Sequence, residues 1–284
     1  MDINPRQLVA AAALADRYIQ SPLVADDAYP GWLEAKLAET GADFYIPLID
    51  EDIAIASRLL EEGRTGETRI AAPRPESARV CWDKLATHDW LREGGLPTCD
   101  TWVPSEAPVD GREMIAKFRY GQGSHGFQVL AEPADLAALS AEENLVVQVL
   151  CEPPEVTIDT FLSQDGTSFR AVCRERIETK AGVCTKARVF ESGELADLAE
   201  AIARSLELCG GSCTQVMRLG GEWVVTDVNA RPGGGTRLSS AAGVDILGAV
   251  YADLLGCTFD AAEALRQLDR DVHVVRQFDE YVID

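Results

Sequence analysis

The stretch Trp223-Val224-Val225-Thr226-Asp227-Val228-Asn229-Ala230-Arg231, running on into Pro232 and Gly233-Gly234-Gly235, decides how the chain is read. In a β-strand alternate side chains share a face, so positions 227, 229 and 231 point the same way. Val224, Val225 and Val228 supply the apolar side. A carboxylate, an amide and a guanidinium therefore stand together where a strand runs out into a glycine loop. Carboxylate and amide oxygens are hard ligands suited to Mg²⁺, which takes one or two carboxylates and completes its shell with water and phosphate. Arg231 on the same face can hold a phosphoryl or carboxylate group through two parallel hydrogen bonds. Gln215, on the strand before, can add an oxygen from across a hairpin. The same pattern also describes the polar side of an ordinary edge strand.

A second glycine cluster lies upstream, Gly121-Gln122-Gly123-Ser124-His125-Gly126, between strand candidates at 113–118 and 127–130. Its position between two strands excludes a Rossmann fingerprint and a Walker A loop, both of which open a helix. Its amides can approach phosphate oxygens without Cβ interference, and Lys117 just before it offers a point charge. A plain hairpin fits the same residues.

The 284 residues carry 26 Lys+Arg against 47 Asp+Glu, a net charge of −21. Nucleic acid and anionic membranes need positive potential over a broad surface, so neither is an expected partner. The 46% hydrophobic content is that of a globular protein with a real core. The acid excess reads as a solvated surface or as the mark of a salt-rich habitat. No apolar run is long enough to span a membrane, and Met1 to Arg6 has no signal-peptide character, so a cytoplasmic location is expected. The eight cysteines form no Cys-x-x-Cys pair and read as reduced core thiols; the three histidines have no zinc-ligand spacing.

Taken together and in order, the motifs from about residue 75 to 256 resemble the ATP-grasp superfamily, in the branch similar to the large chain of carbamoyl phosphate synthase. Asp83-Lys84 resembles the helix opening that carries the first phosphate-binding base. Lys117 with Gly121, Gly123, Ser124, His125 and Gly126 resembles the second base and its phosphate-covering loop. Val147-Gln148-Val149-Leu150 resembles the hinge that binds adenine through backbone groups, and Glu155 the carboxylate that bonds the ribose. Gln215, Asp227 and Asn229 match the metal ligands, Arg231 the catalytic arginine, and Thr236-Arg237 the substrate-side loop, with Lys117 and Arg237 also in the catalytic set.

The resemblance implies an ATP- and Mg²⁺-dependent (or Mn²⁺-dependent) ligase that activates a carboxylate as an acyl phosphate for attack by an amine or similar nucleophile. Phosphorylation of bicarbonate or carbamate with partner chains is a second reading; a non-catalytic ATP-binding module is a third. Small-molecule acid and amine substrates and a homodimer are the expected partners. Lys180 and Lys186 are further candidates for phosphate contact. Three departures stand out: Asp227 replaces the usual Glu, Ala230 a proline, and Phe118 a proline.

The expected architecture is mixed α/β and α+β, an ATP-grasp fold behind a shortened N-terminal parallel-sheet domain. Residues 1–75 form that first domain, 76–144 the small grasp subdomain with the glycine loop, and 145–284 the large one. Expected elements in the first are helices at 7–15, 31–40 and 52–60, strands at 17–21 and 44–48, and a linker at 69–75. Beyond it, helices at 82–92, 133–139 and 194–208 are expected, with strands at 145–150, 155–162, 168–176, 183–190, 211–219 and 222–228. Asp2-Ile3-Asn4-Pro5 resembles the end of the family's second strand, so the first strand and its glycine turn are expected upstream or lost.

Overall fold

The structure is a computed structural model that describes residues 1–121, 127–130, 133–180, 182–257, 264–277 and 279–282. It is organised around an antiparallel six-stranded sheet, in the order β11-β10-β7-β8-β9-β12. These strands are β7 (Glu152–Leu162), β8 (Phe169–Lys180), β9 (Val183–Phe190), β10 (Gly210–Leu219), β11 (Glu222–Asn229) and β12 (Val272–Val275). From Val156 to Leu162 every residue of β7 is buried, because both faces of the sheet are covered. Val156, Ile158 and Leu162 face one core, shared with α3 (Pro75–Trp82), α4 (Lys84–Glu93) and α6 (Gly193–Ser205). Phe161 faces the other, against α7 (Thr236–Ala242) and α8 (Ile246–Leu255). Helix α6 docks through Leu195, Ala199, Ile202 and Ala203, the spacing of a single helical face.

A second sheet, in the order β3-β6-β4-β5, comprises β3 (Thr101–Trp102), β4 (Met114–Phe118), β5 (Gln128–Leu130) and β6 (Leu145–Val149). It is backed by α5 (Pro133–Ala138), which contributes Leu136 to its core. Strand β6 belongs to this sheet, which carries the small unit on to residue 149. Cys99, Val149, Cys151 and Val224 pack together where the two sheets meet. Val225 exchanges backbone hydrogen bonds there with Pro97 and Cys99 (both 3.0 Å).

In the N-terminal segment α1 (Tyr29–Thr40) and α2 (Asp50–Glu61) flank a parallel pair, β1 (Phe44–Tyr45) and β2 (Arg69–Ile70). The expected linker at 69–75 therefore contains a strand, and the expected strand 44–48 ends at Tyr45. Pro47 has no N–H to continue a ladder. The expected helix at 7–15 is two short 3₁₀ turns, Arg6–Leu8 and Ala10–Ala13. Leu8 and Leu14 are 71% and 74% exposed, so no packed face supports an α-helix. The strand expected at 17–21 is reduced to one parallel bridge, Asp2 to Gln20. The helix expected over 82–92 is α4, which starts at Lys84; a separate helix not expected from the sequence, α3, precedes it and ends at Trp82, with Asp83 between the two. That side chain caps α4 by accepting from the amides of Leu85 and Ala86. Helices α7 and α8 and strand β12 were not anticipated.

Among the described residues no single helix is long and apolar enough to cross a membrane. Helices α7 and α8 would pass only as a pair bent by 101°, and Ile246, Ala249, Val250 and Leu254 are buried in the core.

Candidate active site

Two cavities meet along the ends of β8, β10 and β11. The first, about 470 Å³, lies between the two sheets. Lys84, Lys117, Gly121, Gln148, Val149, Leu150 and Glu155 line it, as do Gln215 and Asp227. The second, about 810 Å³, lies between the large sheet, α8 and the loop after β1. It is lined by Asn229, Arg231, the 233–235 glycines and Arg237. Arg176, Gly182, Gln215 and Asp227 border both.

The metal-ligand candidates converge as the hairpin reading expects. Gln215 on β10 is the direct cross-strand partner of Asp227 on β11. Asn229 donates from Nδ2 to Asp227 Oδ2 at 3.2 Å and accepts from Arg231 at 3.3 Å. The guanidinium of Arg231 is tied to Asp50 by two hydrogen bonds of 2.8 and 3.0 Å. Asp50 opens α2, so the N-terminal segment reaches across to hold the site's arginine. Burial works against the charge on Arg231, but Asp50, with smaller contributions from Cys213 and Asp227, offsets it and the net shift is upward. Burial pushes the Asp50 carboxyl up, against the pull of Arg231.

Lys117 donates to the Thr226 carbonyl at 3.0 Å, so its Nζ stands beside Asp227. Burial holds its ammonium below the ordinary lysine range, with Asp227 acting in the opposite sense. Lys84 is the first residue of α4 and donates to the Gly121 carbonyl at 2.8 Å. The base of the glycine loop is clamped from the same helix end: Arg119 donates to both oxygens of Asp83, at 2.8 and 2.7 Å. Gly123, Ser124, His125 and Gly126, expected to cover phosphate, lie outside the described residues.

At the hinge candidate two backbone amides are already engaged. The amide of Val149 donates to Asp100 at 3.2 Å and that of Leu150 to Glu113 at 2.9 Å. Neither faces the cleft as a spare donor. The Gln148 side chain turns to Thr101 Oγ1 at 2.8 Å. Glu155 lines the cleft paired with Arg176, whose other nitrogen donates to the Gly182 carbonyl at 3.0 Å. Lys186 pairs with Glu178 at 2.9 Å. Lys180 and Lys186 are absent from the lining of both cavities.

Asp50, Arg174 and Arg176 escaped sequence reading. Asp50-Glu51-Asp52 looks like ordinary acidic capping of a helix. Arg174 and Arg176 sit two apart on a strand, a legible sign of one polar face but not of its destination. Arg174 is buried against Asp159 (3.1 and 3.2 Å). Asp159 also accepts from Thr236 at 2.8 Å and Ser239 at 2.6 Å. A Cβ on Gly235 would lie 2.4 Å from the Arg174 guanidinium, which explains glycine at that place.

Two sheets clasping a cleft, with bases, a carboxylate and an arginine gathered at its floor, define a nucleotide-binding protein of the grasp type. A family model described as ATP-grasp domain matches residues 81–235, more than half of the sequence, and the chain belongs to that family. Among solved structures it is similar to N5-carboxyaminoimidazole synthetase from Staphylococcus aureus complexed with ADP (TM-score 0.72, 15% identity, 91% of this chain, 70% of that one). It is similar to the biotin carboxylase domain dimer of Hydrogenobacter thermophilus 2-oxoglutarate carboxylase with MgADP, ADP and bicarbonate (TM-score 0.75, 15% identity, 96% of this chain, 67% of that one). A third likeness is to L-amino acid ligase from Bacillus licheniformis (TM-score 0.66, 15% identity, 84% of this chain, 63% of that one). At these identities the likeness is one of fold. A search of curated protein sequences finds no match.

Proposed function

We propose that the protein is an ATP-dependent ligase that phosphorylates a small carboxylic acid and passes the acyl group to an amine or similar nucleophile. The observation that carries this reading is the Gln215–Asp227 pair on the shared wall of the two cavities. A nucleotide in the smaller cleft and an acid in the larger would meet there.

Lys84 and Lys117 would neutralise phosphate charge from the nucleotide side, and Arg231 from the acid side. The acid's carboxylate oxygen bonds to the γ-phosphorus as the bond to the β,γ-bridging oxygen breaks, leaving ADP. The nucleophile then adds at the acyl carbon and phosphate departs.

One carboxylate, Asp227, with the amide oxygen of Gln215 and, after a flip of its amide away from Arg231, that of Asn229, fits a magnesium or manganese ion that arrives with the nucleotide and keeps phosphate and water ligands. Among the described residues no cluster of three or more His, Cys, Asp or Glu offers an all-protein cage. The ion would supply charge neutralisation on the phosphates.

With hydroxylamine as nucleophile, ADP and hydroxamate should appear only when an acid substrate is present. Lys117→Ala and Asp227→Asn should each lower that rate by about 10²–10³ or more. Turnover surviving both substitutions would refute the assignment. ADP release driven by bicarbonate alone would instead favour the bicarbonate reading. Nucleotide binding with no hydrolysis across a broad acid panel would favour a non-catalytic module. A homodimer in the cytoplasm is part of the proposal, and sedimentation of the full chain tests the dimer.

A further inference from the structure

The larger cavity is chemically two-ended. Its charged lining comes from β8, β11 and the start of α7: Arg174, Arg176, Asp227, Arg231 and Arg237. Three of those arginines are committed, Arg174 to Asp159, Arg176 to Glu155 and Arg231 to Asp50. Arg237 is exposed and has no hydrogen-bond or ion-pair partner among the described residues.

The rest of the wall carries no charge. The loop after β1 supplies Ile46, Pro47 and Leu48, and α8 supplies Leu247, Val250 and Tyr251. Leu48 and Tyr251 are 60% and 52% exposed although they face one cavity from two different elements. Large apolar side chains left in water around a concave site are a surface waiting to be covered.

The orientation follows from which residues the two cavities share. Gln215, Asp227 and Arg176 border both, so the reacting end of an acceptor lies there. Arg231 adjoins that shared wall through Asn229, which is bonded to Asp227, whereas Leu48, Leu247 and Tyr251 belong to the larger cavity alone.

We infer that the acceptor is a carboxylic acid with an apolar body, aliphatic or aromatic. Its carboxylate is held near Arg231 and Arg237, and its hydrocarbon packs against Leu48, Leu247 and Tyr251. This rests on the proposed acyl phosphate chemistry for its role, but it is tested by binding alone.

The full chain, loaded with magnesium and a non-hydrolysable ATP analogue, is titrated calorimetrically with acetate, butanoate, hexanoate, hexanamide and succinate. Each methylene moved out of water should tighten binding about fourfold. Hexanoate should therefore bind about an order of magnitude more tightly than butanoate. Leu48→Ser and Tyr251→Ser, both at exposed positions, should flatten that slope and leave acetate unchanged. Arg237→Gln should weaken hexanoate at least about tenfold and leave hexanamide unaffected, as expected for a charge-assisted contact.

A flat series, succinate binding more tightly than hexanoate, or no acid binding at all would overturn the inference. Hexanoate binding with the expected slope but no ADP release in the hydroxylamine assay would uphold the inference and refute the proposed ligase. ADP release with small polar acids and no slope would do the reverse.

Discussion

Removing the charge of Asp50 should damage both stability and chemistry, because it strands a buried guanidinium. Arg231 and Asp50 are bonded at 2.8 and 3.0 Å, with side chains only 10% and 11% exposed. Taking one partner from such a pair costs about 3–5 kcal/mol, since the remaining charge stays desolvated. Arg231 keeps the Asn229 side-chain oxygen and the Pro232 carbonyl and opens onto a cavity. The lower end therefore applies to Asp50→Asn, about 3 kcal/mol. At about 2–4 °C per kcal/mol for a chain of this size, the melting temperature should fall by about 6–12 °C.

Denaturant unfolding of Asp50→Asn, Arg231→Gln and the double variant should give a coupling well above the ~0.5 kcal/mol expected of independent sites. Asp50→Leu with Arg231→Met should be more stable than Asp50→Asn alone, since no unpaired charge remains. In turnover, kcat should fall by about 100-fold through loss of alignment. KM for ATP should hardly move, because Arg231 borders only the larger cavity and not the smaller one proposed for the nucleotide. A coupling under about 0.5 kcal/mol, or a fall confined to nucleotide affinity, would refute the idea that Asp50 positions the site's arginine.

Gly235→Ala should destabilise the chain by about 1–3 kcal/mol, because its Cβ meets an Arg174 guanidinium that Asp159 prevents from yielding; thermal unfolding reads this directly. Asp83→Asn should cost about 1–3 kcal/mol at neutral pH, through loss of the charge-assisted bonds to Arg119. Burial raises the Asp83 carboxyl, but Arg119 and the cap amides outweigh it, and it sits below the ordinary carboxylate range. The stabilisation is therefore complete at neutral pH and lost as pH falls through that lowered value. The gap between wild type and Asp83→Asn in urea unfolding should close on acidification; a gap independent of pH would contradict the assignment.

Sequence by itself determined the local chemistry. The β10–β11 hairpin, with Gln215 opposite Asp227 and Asn229 in line, follows from alternation and a tight turn, which are properties of neighbours in the chain. Lys84 at a helix start and Lys117 before the glycine loop are equally local. The failures lie where packing rather than pattern rules. An Ala-rich run at 7–15 has no face to bury and forms only 3₁₀ turns. At the hinge candidate 147–150 the amide of Leu150 is taken by the carbonyl of Glu113, just before β4, a partner 37 residues away that no local pattern indicates.

Tertiary structure decided the rest, for a physical reason. Asp50 and Arg231 are 181 residues apart, so no spacing rule could join them. The larger cavity is assembled from a loop after β1, the ends of β8 and β11, and α8. Leu48 and Tyr251 are unremarkable alone; their meaning comes from facing one space. A net charge of −21 is an average over the whole molecule and does not locate its positive groups. Folding brings Lys84, Lys117, Arg176 and Arg231 to the walls of two adjoining cavities that Glu155 and Asp227 also line, and buries Asp50 and Asp159.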